Sequence, residues 1–371
     1  MGKLQVVVGG QFGSEAKGAV CAKIARNEES MACVRVAGPN AGHTGYDNEG
    51  RKWALRQIPI GAVTNPNATL VIAAGSEIDP EVLASEVRAL DKAGHQVSRR
   101  LMIDAQATVL TPEHRQAEGD AALHQRIGST GKGIGAARAD RIWRRADLVQ
   151  DRDYDWWCRR IGAKVGDLQI VDTAIALDSA MLQGTTVQVE GTQGFGLGLH
   201  SGFYPKCTSS DCRATDFLAM CGLSTWSTSV TDLDVFVVFR PFPIRVAGDS
   251  GPLEGETTWS KLGLPEERTT VTQLVRRVGT WDSNLAQRAI MANGGPSPFV
   301  HYVLSMADQV MPELAGCVNV HKVYEALHRH PLLRRIVSDL GKMPVLVGTG
   351  PQTMVDMRSM IVPQAMGGSI N

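Results

Sequence analysis

No CxxC pair occurs in this 371-residue chain, and its seven cysteines are an odd number: Cys21, Cys33, Cys158, Cys207, Cys212, Cys221 and Cys317. These counts argue against a disulfide framework and a structural zinc site, so a reducing cytosol is the expected compartment. Net charge is lacking too, because 38 Lys+Arg balance 38 Asp+Glu. There is thus no global field to recruit nucleic acid or an anionic membrane. No segment repeats at a fixed period or is low in complexity. The first apolar run, LQVVV, is too short for a signal peptide or a membrane span. The expectation is a cytoplasmic globular protein, 43% hydrophobic and 20% charged, with neither nucleic acid nor membrane as partner.

What is present is a series of short, β-branched runs. Leu4–Val8, Met31–Val36, Leu70–Ala74, Thr186–Glu190, Val235–Phe239, Val300–Leu304 and Val345–Val347 read as buried strands. Near-continuous apolar strands fit a mostly parallel sheet covered on both faces. Asp79–Ala93 has a cap, a proline in its first turn and apolar residues at helical spacing. Thr111-Pro112-Glu113 opens a second helix, and 171–182 and 283–291 are further candidates. The class is α/β, a central sheet flanked by helices. No composition break marks a linker, so residues 1–371 are expected to form a single domain with excursions. The long or glycine-rich segments 131–135, 191–210 and 247–263 are of the kind that carry function.

Directly after the first strand comes Gly9-Gly10-Gln11-Phe12-Gly13-Ser14-Glu15-Ala16-Lys17-Gly18, with a helix expected from Ala19. Strand, glycine loop and helix make a cradle for phosphate: amides and a helix N-terminus face the anion, and Lys17 adds a full charge. The Walker A spacing is not met, since Gln11 and Ala16 stand where its glycines belong and Gly18 where its Ser/Thr belongs. A plain tight turn is the alternative for this loop alone. The loop Gly38-Pro39-Asn40-Ala41-Gly42-His43-Thr44 follows the next strand and would emerge at the same carboxyl edge. A histidine flanked by Asn, Gly and Thr there is a candidate acid or oxyanion stabiliser.

Together these loops resemble the adenylosuccinate synthetase family, which opens with GGQ-aromatic-G-acid-E-G-K-G and continues with NAGHT. Further resemblances follow in order: IGSTGKGIG at 127–135, Arg144-Arg145, EGTQG at 190–194, Tyr204-Pro205 with Thr208-Ser209-Ser210, Thr270-Val271-Thr272 with Arg276-Arg277-Val278-Gly279, and Gly348-Thr349-Gly350-Pro351. The resemblance spans nearly the whole chain. It implies a P-loop-NTPase-related α/β fold with long active-site loops. It also implies a two-step ligase: a nucleoside triphosphate phosphorylates the 6-oxygen of a purine nucleotide, and the amine of L-aspartate displaces the phosphate. Ser14, Lys17, His43 and Gln193 fall on its catalytic positions. Ser14, Asn40, Ser129, Thr130, Arg144, Gln193 and Thr208 match positions that hold the purine nucleotide. Gly13, Glu15, Ala16, Lys17, Gly18, Gly42, His43, Thr44, Arg276, Asp308, Gly348, Thr349, Gly350 and Pro351 match triphosphate positions. Thr270, Val271, Thr272 and Arg276 match the aspartate loop, and Ser14 and Gly42 the magnesium site. Arg144 matches an arginine donated by a second subunit, implying a homodimer.

Four departures redirect the expectation. Ser14 replaces the family's catalytic aspartate, and a hydroxyl is a poor base and a weak magnesium ligand. Its smaller size leaves room beside C2 of the base, where guanine carries an amino group. That is the pattern of the phage-type 2-aminoadenylosuccinate synthetases, which act on dGMP. Leu274 stands where an arginine near sugar and aspartate belongs, favouring a deoxyribose. Met306 replaces a lysine beside Asp308, which relaxes the guanine pocket and points to ATP or dATP as donor, with GTP the alternative. Ala16 replaces a glycine, which is tolerable if its φ is negative. The competing readings are a conventional enzyme using inosinate (IMP) and GTP, and a catalytically silent nucleotide-binding relic.

Overall fold

The computed structural model describes residues 2–269 and 273–361. Its main sheet has ten strands: β1 Gly2–Gly9, β2 Met31–Arg35, β3 Thr69–Ile72, β4 Leu101–Asp104, β5 Gln169–Val171, β6 Thr186–Glu190, β7 Val230–Phe239, β8 Val300–Leu304, β9 Leu346–Gly348 and β10 Met354–Asp356. Their order across the sheet is β10-β9-β8-β7-β1-β6-β2-β3-β4-β5. Every pairing is parallel except that of β9 with β10.

The chain reverses direction once. Strands β2 to β5 step outward on one side of β1, β6 returns to fill the gap between β1 and β2, and β7 to β10 step outward on the other side. Such a reversal leaves a crevice at the carboxyl ends of the strands flanking it, where open α/β sheets bind ligands. The loops that leave β1, β2, β6, β7 and β8 at this edge carry most of the residues singled out above.

Consecutive apolar residues in the strands bury both faces. Leu4, Val6 and Val8 point into one core, while Val7 points into the other, as a period of two requires. The first core is covered by the helices Thr173–Leu182, Ala214–Met220, Ser283–Ala292, Val320–Arg329 and Pro331–Leu340. The second is covered by Lys17–Ala25, Pro80–Lys92 and Tyr154–Ile161. Pro80–Lys92 starts as its sequence dictates. Asp79 accepts from the amides of Glu81 (3.1 Å) and Val82 (3.3 Å), Pro80 opens the first turn, and Leu83, Val87 and Leu90 face the sheet.

Several boundaries differ from expectation. The helix expected over 171–182 begins at Thr173, because Val171 completes β5 and Asp172 caps the helix through the Ile175 amide at 3.1 Å. The helix after the glycine loop begins at Lys17 rather than Ala19. His43 and Thr44, expected in a loop, lie in a strand His43–Tyr46 paired antiparallel with Lys52–Leu55. Strands β5 and β10 have three residues each, too few to stand out in sequence.

Trp157 is wholly buried in the second core and donates its indole N–H to the Val149 carbonyl at 3.0 Å. Trp157→Ala is expected to cost about 3–5 kcal/mol of unfolding free energy. Trp157→Phe, which keeps the ring and loses the hydrogen bond, should cost clearly less. Urea denaturation of the two variants checks the order.

Candidate active site

The loop leaving β1 folds around a buried carboxylate. Glu15 accepts from the amides of Gln11 (3.2 Å) and Gly13 (2.7 Å), and from Lys17 Nζ at 2.7 Å. Lys17 also donates to the Gln193 carbonyl in the loop after β6. That second loop locks onto the first: the Gly196 amide donates to the Gln11 carbonyl at 2.7 Å. A Cβ on Gly194 would sit 2.7 Å from the same oxygen, so only glycine fits there. Ser14, Ala16 and Gln193 all adopt left-handed backbone, with φ of 60°, 64° and 51°. The condition for tolerating Ala16 is therefore not met, and its methyl group carries strain of roughly 1–2 kcal/mol.

His43 is held by charges at the ends of two neighbouring strands. Glu190 closes β6, Arg35 closes β2, and the two are register partners. Glu190 Oε1 lies 2.6 Å from Arg35 Nη1 and 2.5 Å from His43 Nδ1, and Oε2 accepts from the Ile60 amide at 2.9 Å. Arg35 also donates to the Ala41 carbonyl at 2.7 Å, tying down the loop that leads to His43. Burial, with the Arg35 charge added, pushes the His43 ring down to about 4. Burial alone would raise the Glu190 carboxyl, but Arg35 and His43 hold it below the ordinary range. The imidazole is thus neutral at pH 7, and its Nε2 has no partner among the described residues. Lys17 and His43 meet across Gly18, where a Cβ would lie 2.9 Å from the His43 Cβ.

Ser14 sits in a cationic corner. Its hydroxyl accepts from Arg276 Nη1 at 2.8 Å and its carbonyl from Arg240 Nη1 at 3.2 Å. Arg240 follows β7, is wholly buried, and pairs with Glu267 (Nη1 to Oε2, 3.2 Å). Gln11 and the Arg240 backbone exchange two hydrogen bonds of 3.0 Å. Arg240 reaches Gln309 at 3.4 Å, beside Asp308. Burial lowers the Arg276 guanidinium, and Glu267 opposes that shift. Asp308 Oδ1 is buried without a partner, and burial pushes this carboxyl up. Gly348 lies against Met306, whose amide nitrogen would be 3.1 Å from a Cβ there. Thr349 is buried and donates to the Cys317 carbonyl at 2.8 Å, and Gly350 and Pro351 follow toward the surface.

On the other side of the crevice, the loop 127–135 is organised by Glu118. This carboxylate accepts from the amides of Gly133 (3.0 Å) and Gly135 (2.9 Å) and from the Ser129 hydroxyl (3.3 Å). Thr130 is exposed. Gly38 touches the same region, since its Cβ would lie 2.4 Å from Ile134 Cδ1. Asn40 Oδ1 is buried and unpartnered, free for a ligand. The Thr208 amide donates to the Leu197 carbonyl at 2.8 Å. Arg144 is exposed in left-handed backbone beside Ile142 and Trp143, which are 70% and 72% exposed. Its side chain makes no hydrogen bond or ion pair among the described residues. Thr270, Val271 and Thr272 lie outside the described residues.

Among the described residues, no group of three or more His, Cys, Asp or Glu could hold a metal. The Mg2+ that the family uses would instead be carried mainly by phosphate oxygens and water. The Ser14 hydroxyl already accepts from a guanidinium, which opposes a cation there. Sequence reasoning assigned no role to Arg35, Glu190, Arg240, Glu267 or Glu118. A charged residue ending or following an apolar strand was the available signal for Arg35, Glu190 and Arg240.

The family model described as adenylosuccinate synthetase matches residues 6–161 and 158–311. The adenylosuccinate synthetase of Thermococcus sibiricus is 34% identical over 361 residues, covering 96% of this chain and 99% of its own. That of Archaeoglobus fulgidus is 32% identical over 362 residues, covering 95% and 98%. Among solved structures, cyanophage S-2L succinoaminodeoxyadenylate synthetase (PurZ), bound to dGMP and to dATP as an energy donor, aligns with a TM-score of 0.76. It is 29% identical, with 95% of this chain and 94% of that one covered. Adenylosuccinate synthetase from Plasmodium falciparum aligns with a TM-score of 0.80 at 19% identity, over 96% and 100%, a likeness of fold.

Two outcomes follow from the geometry. As pH falls below the ordinary His value near 6.5, the unfolded chain takes up a proton that folded His43 refuses until about 4. His43 therefore removes stability between those values, on the order of 2 kcal/mol from pH 7 to pH 5. His43→Gln should flatten that part of the curve in urea titrations at the two pH values. Ala16→Gly, which relieves left-handed strain, should raise unfolding free energy by about 1 kcal/mol; a loss of stability would contradict the strain.

Proposed function

This chain belongs to the adenylosuccinate synthetase family of carbon–nitrogen ligases, and from that premise we propose that it condenses L-aspartate with the 6-position of dGMP. The product would be 2-amino-2′-deoxyadenylosuccinate, a precursor of 2-aminoadenine nucleotide. The family takes a purine nucleotide, aspartate and a nucleoside triphosphate with Mg2+; here the donor is ATP or dATP, with GTP the alternative. The observation that carries the reading is the short Ser14 side chain, whose hydroxyl is turned to Arg276. Hypoxanthine and guanine both carry an N1 proton, and a hydroxyl accepting from a guanidinium is a worse base than serine alone, so with either acceptor that proton leaves to water or a phosphate oxygen. The small Ser14 side chain leaves space for a 2-amino group, and the adjacent cation favours the negative charge the ring acquires when N1 loses its proton. The likeness to the cyanophage enzyme bound to dGMP and dATP supports the same choice.

Phosphoryl transfer depends on positioning and charge neutralisation. Lys17 neutralises the transferred group, while Glu15 and the Gln193 carbonyl fix its ammonium. His43 donates Nδ1–H to Glu190. Negative charge from the donor phosphates and the 6-oxygen raises its affinity for a second proton, on Nε2, which bonds that oxygen. Magnesium would be held near Gly42 and would supply positive charge to the donor phosphates. Gly13, Gly18 and Thr44 line the phosphate path, and Asp308 with Gly348, Thr349, Gly350 and Pro351 takes the donor base. Asn40, Ser129, Thr130, Gln193 and Thr208 hold the acceptor, joined by Arg144 from a second copy of the chain. Ile142 and Trp143 give that homodimer an apolar contact. Arg276, with Thr270, Val271 and Thr272, captures aspartate, and Leu274 favours a deoxyribose.

A second reading, inosinate with GTP, is favoured by the curated relatives, which match across the whole chain as adenylosuccinate synthetases. Phosphate release with Mg2+, aspartate and ATP separates the two. Release is expected with dGMP and not with inosinate; release with inosinate alone would return the protein to conventional chemistry. Ser14→Asp, which fills the space beside C2, should move acceptor preference toward inosinate by roughly 10–100-fold.

A further inference from the structure

Asp308 is a half-buried carboxyl whose Oδ1 is sealed from water without a partner among the described residues, while its own backbone amide favours the carboxylate form. A buried acceptor left open costs free energy unless something completes it. The residue follows β8 at the carboxyl edge of the sheet. Lys17 follows β1, two strands away across β7. Two inter-strand steps are roughly 10 Å, about the reach from the base of a nucleoside triphosphate to its outer phosphates.

No cation sets the protonation of this group. The elements packed most closely on its turn are Pro312–Leu314 and β9, in which the titratable residue is Glu313. Lys322 donates to the Glu313 carbonyl, and Arg240 with Glu267 is reached through Gln309. None of these hydrogen-bonds to Asp308, and Met306 beside it is uncharged. Guanine presents two donors on its pairing edge, N1–H and N2–H. Adenine presents one acceptor, N1, and one donor, N6–H. A carboxylate satisfies the first edge and a neutral carboxylic acid the second.

Resting on the placement of the donor base at Asp308, we propose that this residue reads the base in two protonation states. As carboxylate it accepts from guanine N1–H and N2–H. As neutral acid it donates its proton to adenine N1 and accepts from N6–H. The site then admits both donors, and binding an adenine nucleotide takes up a proton that binding a guanine nucleotide does not. Burial already biases the carboxyl toward the acid, and adenine N1 extends the bias by linkage.

The test is calorimetric titration of the full chain with ATP or GTP, each with Mg2+, at pH 7 in two buffers of different ionisation enthalpy. ATP binding should take up about one proton more than GTP binding. Asp308→Asn presents a fixed donor and acceptor, so it should erase that difference and shift preference toward ATP by about 10-fold. Equal proton counts in the unmodified protein would overturn the proposal, as would an Asn variant that loses ATP as much as GTP. Binding of neither nucleotide would overturn the donor site itself. The proton count needs no acceptor, so turnover of dGMP or inosinate judges the proposed acceptor separately.

Discussion

Glu190 has no access to water, yet it ends a strand in the middle of the sheet as a carboxylate. A buried charge is tolerated only when its oxygens are filled, and here Arg35, His43 and the Ile60 amide fill them. Those partners come from a neighbouring strand, a hairpin and the turn Ile60–Val63. None can shift without uncovering the charge. The same contacts that make Glu190 affordable therefore fix His43 beside Lys17, while burial and the Arg35 charge keep its ring neutral. Breaking this cluster would release the crevice wall, because the loop 38–42 hangs from Arg35 through Ala41.

Arg240 performs the matching task on the opposite side. Its backbone is clamped by Gln11 and its guanidinium spans Ser14, Glu267 and Gln309. The loop after β1 is thus held between two buried ion-pair clusters, one for each wing of the sheet. This explains how three residues persist in left-handed backbone around Lys17. Strain of that kind survives where the surroundings over-determine the conformation.

The central strands were legible because their apolar runs are nearly unbroken, and the crevice was legible because glycines and polar residues follow those strands directly. Ser14, Lys17 and His43 do converge there. Edge strands of three residues were invisible, since so short a run carries no periodicity. The strand at His43–Tyr46 was also hidden: its sequence, HTGY, reads as a turn until Lys52–Leu55 pairs with it. The polar second layer was not identified, because Arg35 and Glu190 are isolated charges whose meaning depends on strand order. Sequence alone does not say that the strand ending at Arg35 lies beside the one ending at Glu190. The left-handed Ala16 was hidden for a related reason, as its backbone is dictated by a loop more than 170 positions away.

The strand order also has a consequence for biogenesis. β1 is synthesised before the other strands, yet its neighbours in the sheet are β6 and β7, which begin at Thr186 and Val230. The wing β2 to β5 can assemble while the chain is still emerging, but β1 must wait without a pairing partner for about 180 residues. At typical elongation rates that interval is roughly 10–40 s. Throughout it, the nascent chain carries an unpaired, strongly apolar segment, the kind of template that other chains or chaperones engage. Lys17 travels with that segment, so the phosphate cradle is the first part of the crevice to be translated and among the last to be assembled.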